Sequence, residues 1–126
     1  MANYDYTENP NIFHALHSKA YSLRRACAYA FMGINELKIN GFSTDEVQKL
    51  LKKYGKISKE LEEEVIPMIR DTPKREITSD RLNSLVDRFK ETRKEALEYL
   101  KTADVPHDLH NRVNGFINYE DPYGRL

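Results

Sequence analysis

Phe13, Leu16, Ala20, Leu23, Cys27, Ala30, Ile34 and Leu37 recur at alternating three- and four-residue steps. Apolar residues at that spacing share one face of an α-helix, and four consecutive repeats are too regular for strands or loops. Any fold of this chain must therefore house one long first helix. Asn9 and Pro10 supply its start, as a capping side chain and a residue favoured in the first turn. Asn40 and Gly41 supply its stop, because both tolerate the left-handed backbone that ends helices. Residues 26–34 are apolar nearly all the way round and rich in small side chains. That predicts close helix approach and burial on more than one side.

Two further long helices come after it. Ser43 with Glu46 three residues on reads as a capping box, and the stripe behind it is Val47, Leu50, Leu51, Tyr54, Ile57, Leu61, Val65 and Met68. Gly55 predicts a weak point in this helix, with Ser58 able to recap its second half. Pro67 predicts a kink or an end, since it lacks the donor for the carbonyl of Glu63. Residues 70–77, with Thr72-Pro73, read as the longest exposed loop. Thr78 or Ser79 then caps a third helix with the stripe Leu82, Leu85, Val86, Phe89, Ala96, Leu100 and Ala103. Val105-Pro106 closes it and opens a short fourth helix over His107 to Ile117, with Leu109, Val113 and Phe116 inward. The expected fold is all-α: an antiparallel bundle of three long helices plus a short C-terminal helix. One domain is expected over residues 1–126, with an N-terminal arm at 1–9 and a C-terminal tail at 118–126.

The charge pattern narrows the function classes. Charged residues make up 32% of the chain, yet 20 basic residues balance 20 acidic ones, and no segment strays more than about two charges from neutral. A nucleic-acid or membrane binder normally shows a basic excess, so nucleic acid is an unlikely partner and a membrane is not expected. Neutrality also removes charge repulsion as a guard against self-association. The lone Cys27 excludes an internal disulfide and a cysteine-based zinc site. Residues 1–11 are polar and carry Asp5 and Glu8, which predicts no signal peptide. Residues 26–32, the longest apolar run, are too short to span a bilayer. The expected compartment is the cytoplasm.

Three constellations are candidates for chemistry. His17, Lys19, Tyr21, Arg24 and Arg25 crowd the first half of helix one. His17, Tyr21 and Arg24 or Arg25 form a ridge at helical steps, extended by His14 toward the positive helix N-terminus. Guanidinium forks and aromatic faces suit phosphate-bearing or nucleotide-like ligands. The plainer reading pairs Arg24 and Arg25 with acids among Glu60 to Glu64 on a neighbouring helix. Secondly, His14 with His17 and His107 with His110 form two His-x-x-His pairs. If the chain ends met, four imidazoles would converge on a metal, with Glu8, Asp104 or Asp108 adding oxygens. All-histidine sites are uncommon among structural zinc sites, and no Glu-x-x-His pair of the di-iron type is present. Metal binding is therefore the alternative, and surface or interface histidines the leading reading. Thirdly, Lys49, Lys52, Lys53 and Lys56 form a stripe on helix two, followed by Lys59 and the acids Glu60, Glu62, Glu63 and Glu64. That change of sign along one helix is by default a solvated face; it also permits two copies to pair plus against minus, and a nucleic-acid accessory role through the lysines is the remaining alternative.

Catalysis finds little support. Cys27 lies on an apolar seam, where a thiol packs as a small hydrophobe. No nucleophile elbow or glycine-rich phosphate loop is present, and no cofactor is expected. Tyr4, Tyr6, Tyr119 and Tyr123 crowd the termini, as interface residues or as caps on the core. Together these features predict a non-enzymatic helical binding protein: a regulator, inhibitor or adaptor. Helix one looks too apolar for its neighbours to cover, so a homo-oligomer is expected. Another protein or a small anionic ligand is the further partner to consider.

Overall fold

A computed structural model of the chain describes residues 10–71, 75–119 and 126. Its helices are α1 (Pro10–Ile39), α2 (Asp45–Glu60), a π-helical turn (Leu61–Val65), α3 (Ile66–Asp71), α4 (Arg75–Thr102) and α5 (His107–Ile117). The protein is an all-α helical bundle. The heptad seam of α1 is its axis: Leu16, Ala20, Leu23, Cys27, Ala30, Ile34 and Leu37 are all buried. Leu23, Ile34 and Leu37, fully removed from water, each contribute about 1.5–3 kcal/mol.

The stop at Asn40-Gly41 takes the expected form. Gly41 has φ of 97°, its N–H donates to the Lys38 carbonyl, and the Phe42 N–H donates to the Leu37 carbonyl at 2.9 Å. Two carbonyls that the ending helix leaves unpaired are thus satisfied in a Schellman motif. At the next start, Thr44 rather than Ser43 is the cap. Its hydroxyl accepts from the Val47 N–H at 3.3 Å, which puts Glu46 one position short of where a capping box needs it.

Side-chain pairs give the helix directions. Thr44 meets Tyr99, Lys53 meets Glu95, Glu60 meets Arg88 and Glu64 meets Arg81. Residue numbers rise on one partner as they fall on the other, so α2 and its π extension run antiparallel to α4. By the same reasoning Glu36 with Arg112 and Tyr29 with Tyr119 set α5 antiparallel to α1. Arg24 with Glu62 and Cys27 with Ser58 set α2 antiparallel to α1. At the α1–α5 crossing the helices nearly touch. A Cβ at Gly33 would stand 2.7 Å from the Phe116 Cβ and 3.3 Å from the Val113 carbonyl oxygen.

Three expectations about the middle of the chain need correction. Gly55 does not break α2, which continues to Glu60. Pro67 does not end the helix, because the π turn precedes it. The Ile66 N–H reaches back to the Leu61 carbonyl, and the wider turn makes room for the pyrrolidine ring. The loop at 70–77 contracts from both sides, since α3 extends to Asp71 and α4 begins at Arg75. Ile69 is buried, and this packing carries the helix past the proline. Thr78 is accordingly not a cap but a buried residue of α4. The arm at residues 1–9 and most of the 118–126 tail lie outside the described residues. Of the terminal tyrosines, Tyr119 stacks on Tyr29 with centroids 4.4 Å apart, and Tyr4, Tyr6 and Tyr123 lie outside the described residues.

Candidate functional site

Among the described residues, the bundle covers three sides of α1 and leaves the fourth open. Among the described residues the exposed large apolar side chains are Tyr21, Phe31, Met32 and Ile39, and all four stand on α1. Tyr21, Ala28, Met32 and Ile39 succeed one another at seven- and four-residue steps, so they form a line along the helix. Phe31 stands beside that line, toward α2. From Tyr21 to Ile39 the line runs about 27 Å, and Ile39 at its far end is 71% exposed. The apolar middle of helix one pointed to burial on several sides; the structure buries Ala26, Cys27, Ala30, Gly33 and Ile34 and half-buries Tyr29. Ala28, Phe31 and Met32 remain outside.

The basic ridge is the N-terminal continuation of the same face. The His17 and Tyr21 rings lie 4.6 Å apart at 40°, and the Arg24 guanidinium carbon sits 5.6 Å from the Tyr21 ring centre. Arg24 then turns to α2, with Nε 2.5 Å from Glu62 Oε1. The pairing of Arg24 with the Glu60–Glu64 run is thus the arrangement found. Lys19 leaves the ridge altogether: it faces α4, where its Nζ donates to Asn83 Oδ1 at 2.7 Å. Arg25 is exposed on the solvent face. The five residues His17, Lys19, Tyr21, Arg24 and Arg25 therefore do not converge on one cavity.

The four histidines do not converge either. His14 and His17 stand near the start of α1, and His107 and His110 begin α5, whose start lies against the end of α1. With α1 and α5 antiparallel, the two pairs are separated by roughly 30 Å or more. His107 Nε2 is 3.1 Å from the Asn111 side-chain nitrogen. Among the described residues no group of three or more His, Cys, Asp or Glu could hold a metal ion.

Chemistry in the core is equally unpromising. Cys27 is buried against Ser58, and burial pushes its thiol up from 9.0 to about 12, so the nucleophilic thiolate is suppressed. Tyr54 is fully buried, edge-on to Phe89, and burial raises its phenol as well. A groove of about 650 Å³ runs between α2 and α4. Its walls carry Glu46, Lys49 and Lys53 on one side and Glu91, Lys94, Glu95 and Glu98 on the other, and Lys53 spans it to Glu95 at 2.6 Å. These opposed charges neutralise one another across the groove.

The sign change along helix two has an internal use. Glu60 bonds Arg88, Glu62 bonds Arg24 and Glu64 bonds Arg81, which leaves few acids to pair with a second copy. Lys52, Lys56 and Lys59 are exposed and have no ion-pair partner among the described residues. Compared with known protein families, curated protein sequences and solved structures, the chain matches none. Among the described residues no helix is long and apolar enough to cross a membrane.

Proposed function

We propose that this chain is a non-enzymatic interaction protein, a regulator, inhibitor or adaptor, whose recognition surface is the solvent face of α1. One observation carries the reading: the exposed large hydrophobic side chains of the described residues are all gathered on that helix. Scattered surface hydrophobics are ordinary, but a line of them on one element marks a place where another molecule sits. A straight apolar line about 27 Å long suits a helix laid into a groove, read by side chains at helical steps. The lone, buried Cys27 supports a reducing compartment, and with it a cytoplasmic setting.

A displayed library of helical peptides, selected on the protein and counter-selected on a Met32→Glu/Ile39→Glu variant, tests this. Amphipathic helices that bind the protein and not the variant are the expected product. Binders indifferent to the two substitutions would place recognition elsewhere. A second reading, the homo-oligomer, draws on the same apolar line and on zero net charge. Light scattering at micromolar concentration checks it, and a monomeric mass removes it. The anionic-ligand reading has less support, because Arg24 and Lys19 are held by Glu62 and Asn83.

A further inference from the structure

We infer that the occupant of this surface is an acidic amphipathic helix from another chain, lying along the seam between α1 and α2 with one side chain in a notch at Gly55. The inference rests on the interaction reading above and adds the partner's chemistry.

The notch comes from the register of the two helices. Arg24 lies against Glu62 and Cys27 against Ser58, so one turn further along α1 the exposed Phe31 comes level with Gly55. A glycine inside a helix costs about 1 kcal/mol relative to alanine. Gly33 repays this cost through its close approach to Phe116. At Gly55 a Cβ would meet no atom within 4 Å. Nothing inside the bundle asks for glycine there. Gly55 therefore leaves an open position on α2, level with the exposed Phe31, where a partner's side chain has room.

Charge decides what kind of helix fits. Lys52, Gly55 and Lys59 succeed one another at three- and four-residue steps, so two exposed lysines flank the notch on α2. On α1 the exposed Lys38 stands beside Ile39 at the end of the apolar line. The acids nearest these rims are engaged: Glu62 by Arg24 and Glu36 by Arg112. Glu63 stands one turn beyond Lys59. A rim on which lysines outnumber acids favours a partner of the opposite sign and penalises its own kind. A second copy, docking by the same patch, would bring lysine against lysine. A nucleic-acid duplex, far wider than one helix face, would also meet the acids Glu91 and Glu98 of the α2–α4 groove beyond Lys49.

Two synthetic helical peptides of about 18 residues, long enough to track the apolar line, provide the test. They share one leucine stripe and differ only in flanks, glutamate in one and lysine in the other. Binding is read by fluorescence anisotropy on the full chain, with a labelled oligonucleotide duplex as a third probe. The glutamate peptide is expected to bind at least about tenfold more tightly than the lysine peptide. A Lys52→Glu/Lys59→Glu variant should invert that order, and Gly55→Leu should weaken the glutamate peptide while leaving the fold intact by circular dichroism. Equal binding of both peptides, lost in Met32→Glu/Ile39→Glu, overturns the acidic partner and leaves the interaction surface standing. Binding of neither peptide overturns the inference, and growth of mass with concentration would then assign the face to a second copy. Tighter binding of the duplex than of either peptide also overturns it.

Discussion

Gly33 and Gly55 sit in the interiors of long helices, one residue type in two opposite settings. At Gly33 the Phe116 Cβ stands where no side chain could fit beside it, so α5 is drawn against α1 because the side chain is missing. At Gly55 the space is empty. The first glycine is explained by a contact within the bundle, and the second by no such contact. The same division runs along α1, whose one side is closed by α2, α4 and α5 and whose other carries Tyr21, Phe31, Met32 and Ile39 into solvent. Packing density inside a bundle is set by such vacancies being filled.

The contrast breaks first at Gly33. Gly33→Ala should destabilise the protein by about 1–3 kcal/mol, since the added Cβ must push Phe116 aside; chemical denaturation measures it, and an unchanged midpoint would mean the crossing is looser than 2.7 Å suggests. The next effect tests the closed side by pH. With its folded-state thiol held at about 12 against an ordinary 9.0, Cys27 binds its proton more tightly folded than unfolded. Its contribution is complete below pH 9.0 and declines as pH rises toward 12, by up to about 1.4 kcal/mol per pH unit. Melting temperatures should fall across that window, less steeply in Cys27→Ala, and the native thiol should resist a thiol reagent at neutral pH. Gly55→Ala should act in the opposite sense to Gly33→Ala, stabilising by about 1 kcal/mol because helix propensity improves and nothing is struck. The smallest effect is expected on the open side: Met32→Glu should shift stability within about 0.5 kcal/mol. A large loss there would show that Met32 is covered within the molecule.

Much of the fold was legible because the signals were local. The α1 seam, the stop at Gly41 and the start of α5 after Pro106 each depend on a few neighbouring residues, and each is where the spacing placed it. The stretch around Pro67 was less legible because two local rules misled together. Proline argued for an end and Met68 completed a regular stripe, whereas the structure buries Ile69 and leaves Met68 half-buried. Ile57, Leu61, Val65 and Ile69 are spaced by four throughout, a run that drifts about 40° per step on an ordinary α-helix. That unbroken series of fours was the missed sign of a wider turn. Thr92 was missed in another way: a polar residue is buried there because its hydroxyl donates to the Arg88 carbonyl one turn back. For the candidate site, the sequence singled out the basic half of helix one, whose Lys19 and Arg24 turn to α4 and α2. It could not say which apolar residues α5 would cover, because that depends on a crossing fixed by Gly33 and Phe116.

The π turn at Leu61–Val65 also sets the phase of the helix beyond it. One added residue in the turn rewinds the helix so that Ile69 faces the core. It does so within the segment from which Glu60, Glu62 and Glu64 reach arginines on α4, α1 and α4 in turn. Removing any single residue between 61 and 65 would advance everything downstream by about 100°. Ile69 would then swing away from the core, and the path from α3 into α4 would start in the wrong direction. Over this stretch the chain should accept changes of side chain more readily than a change of length.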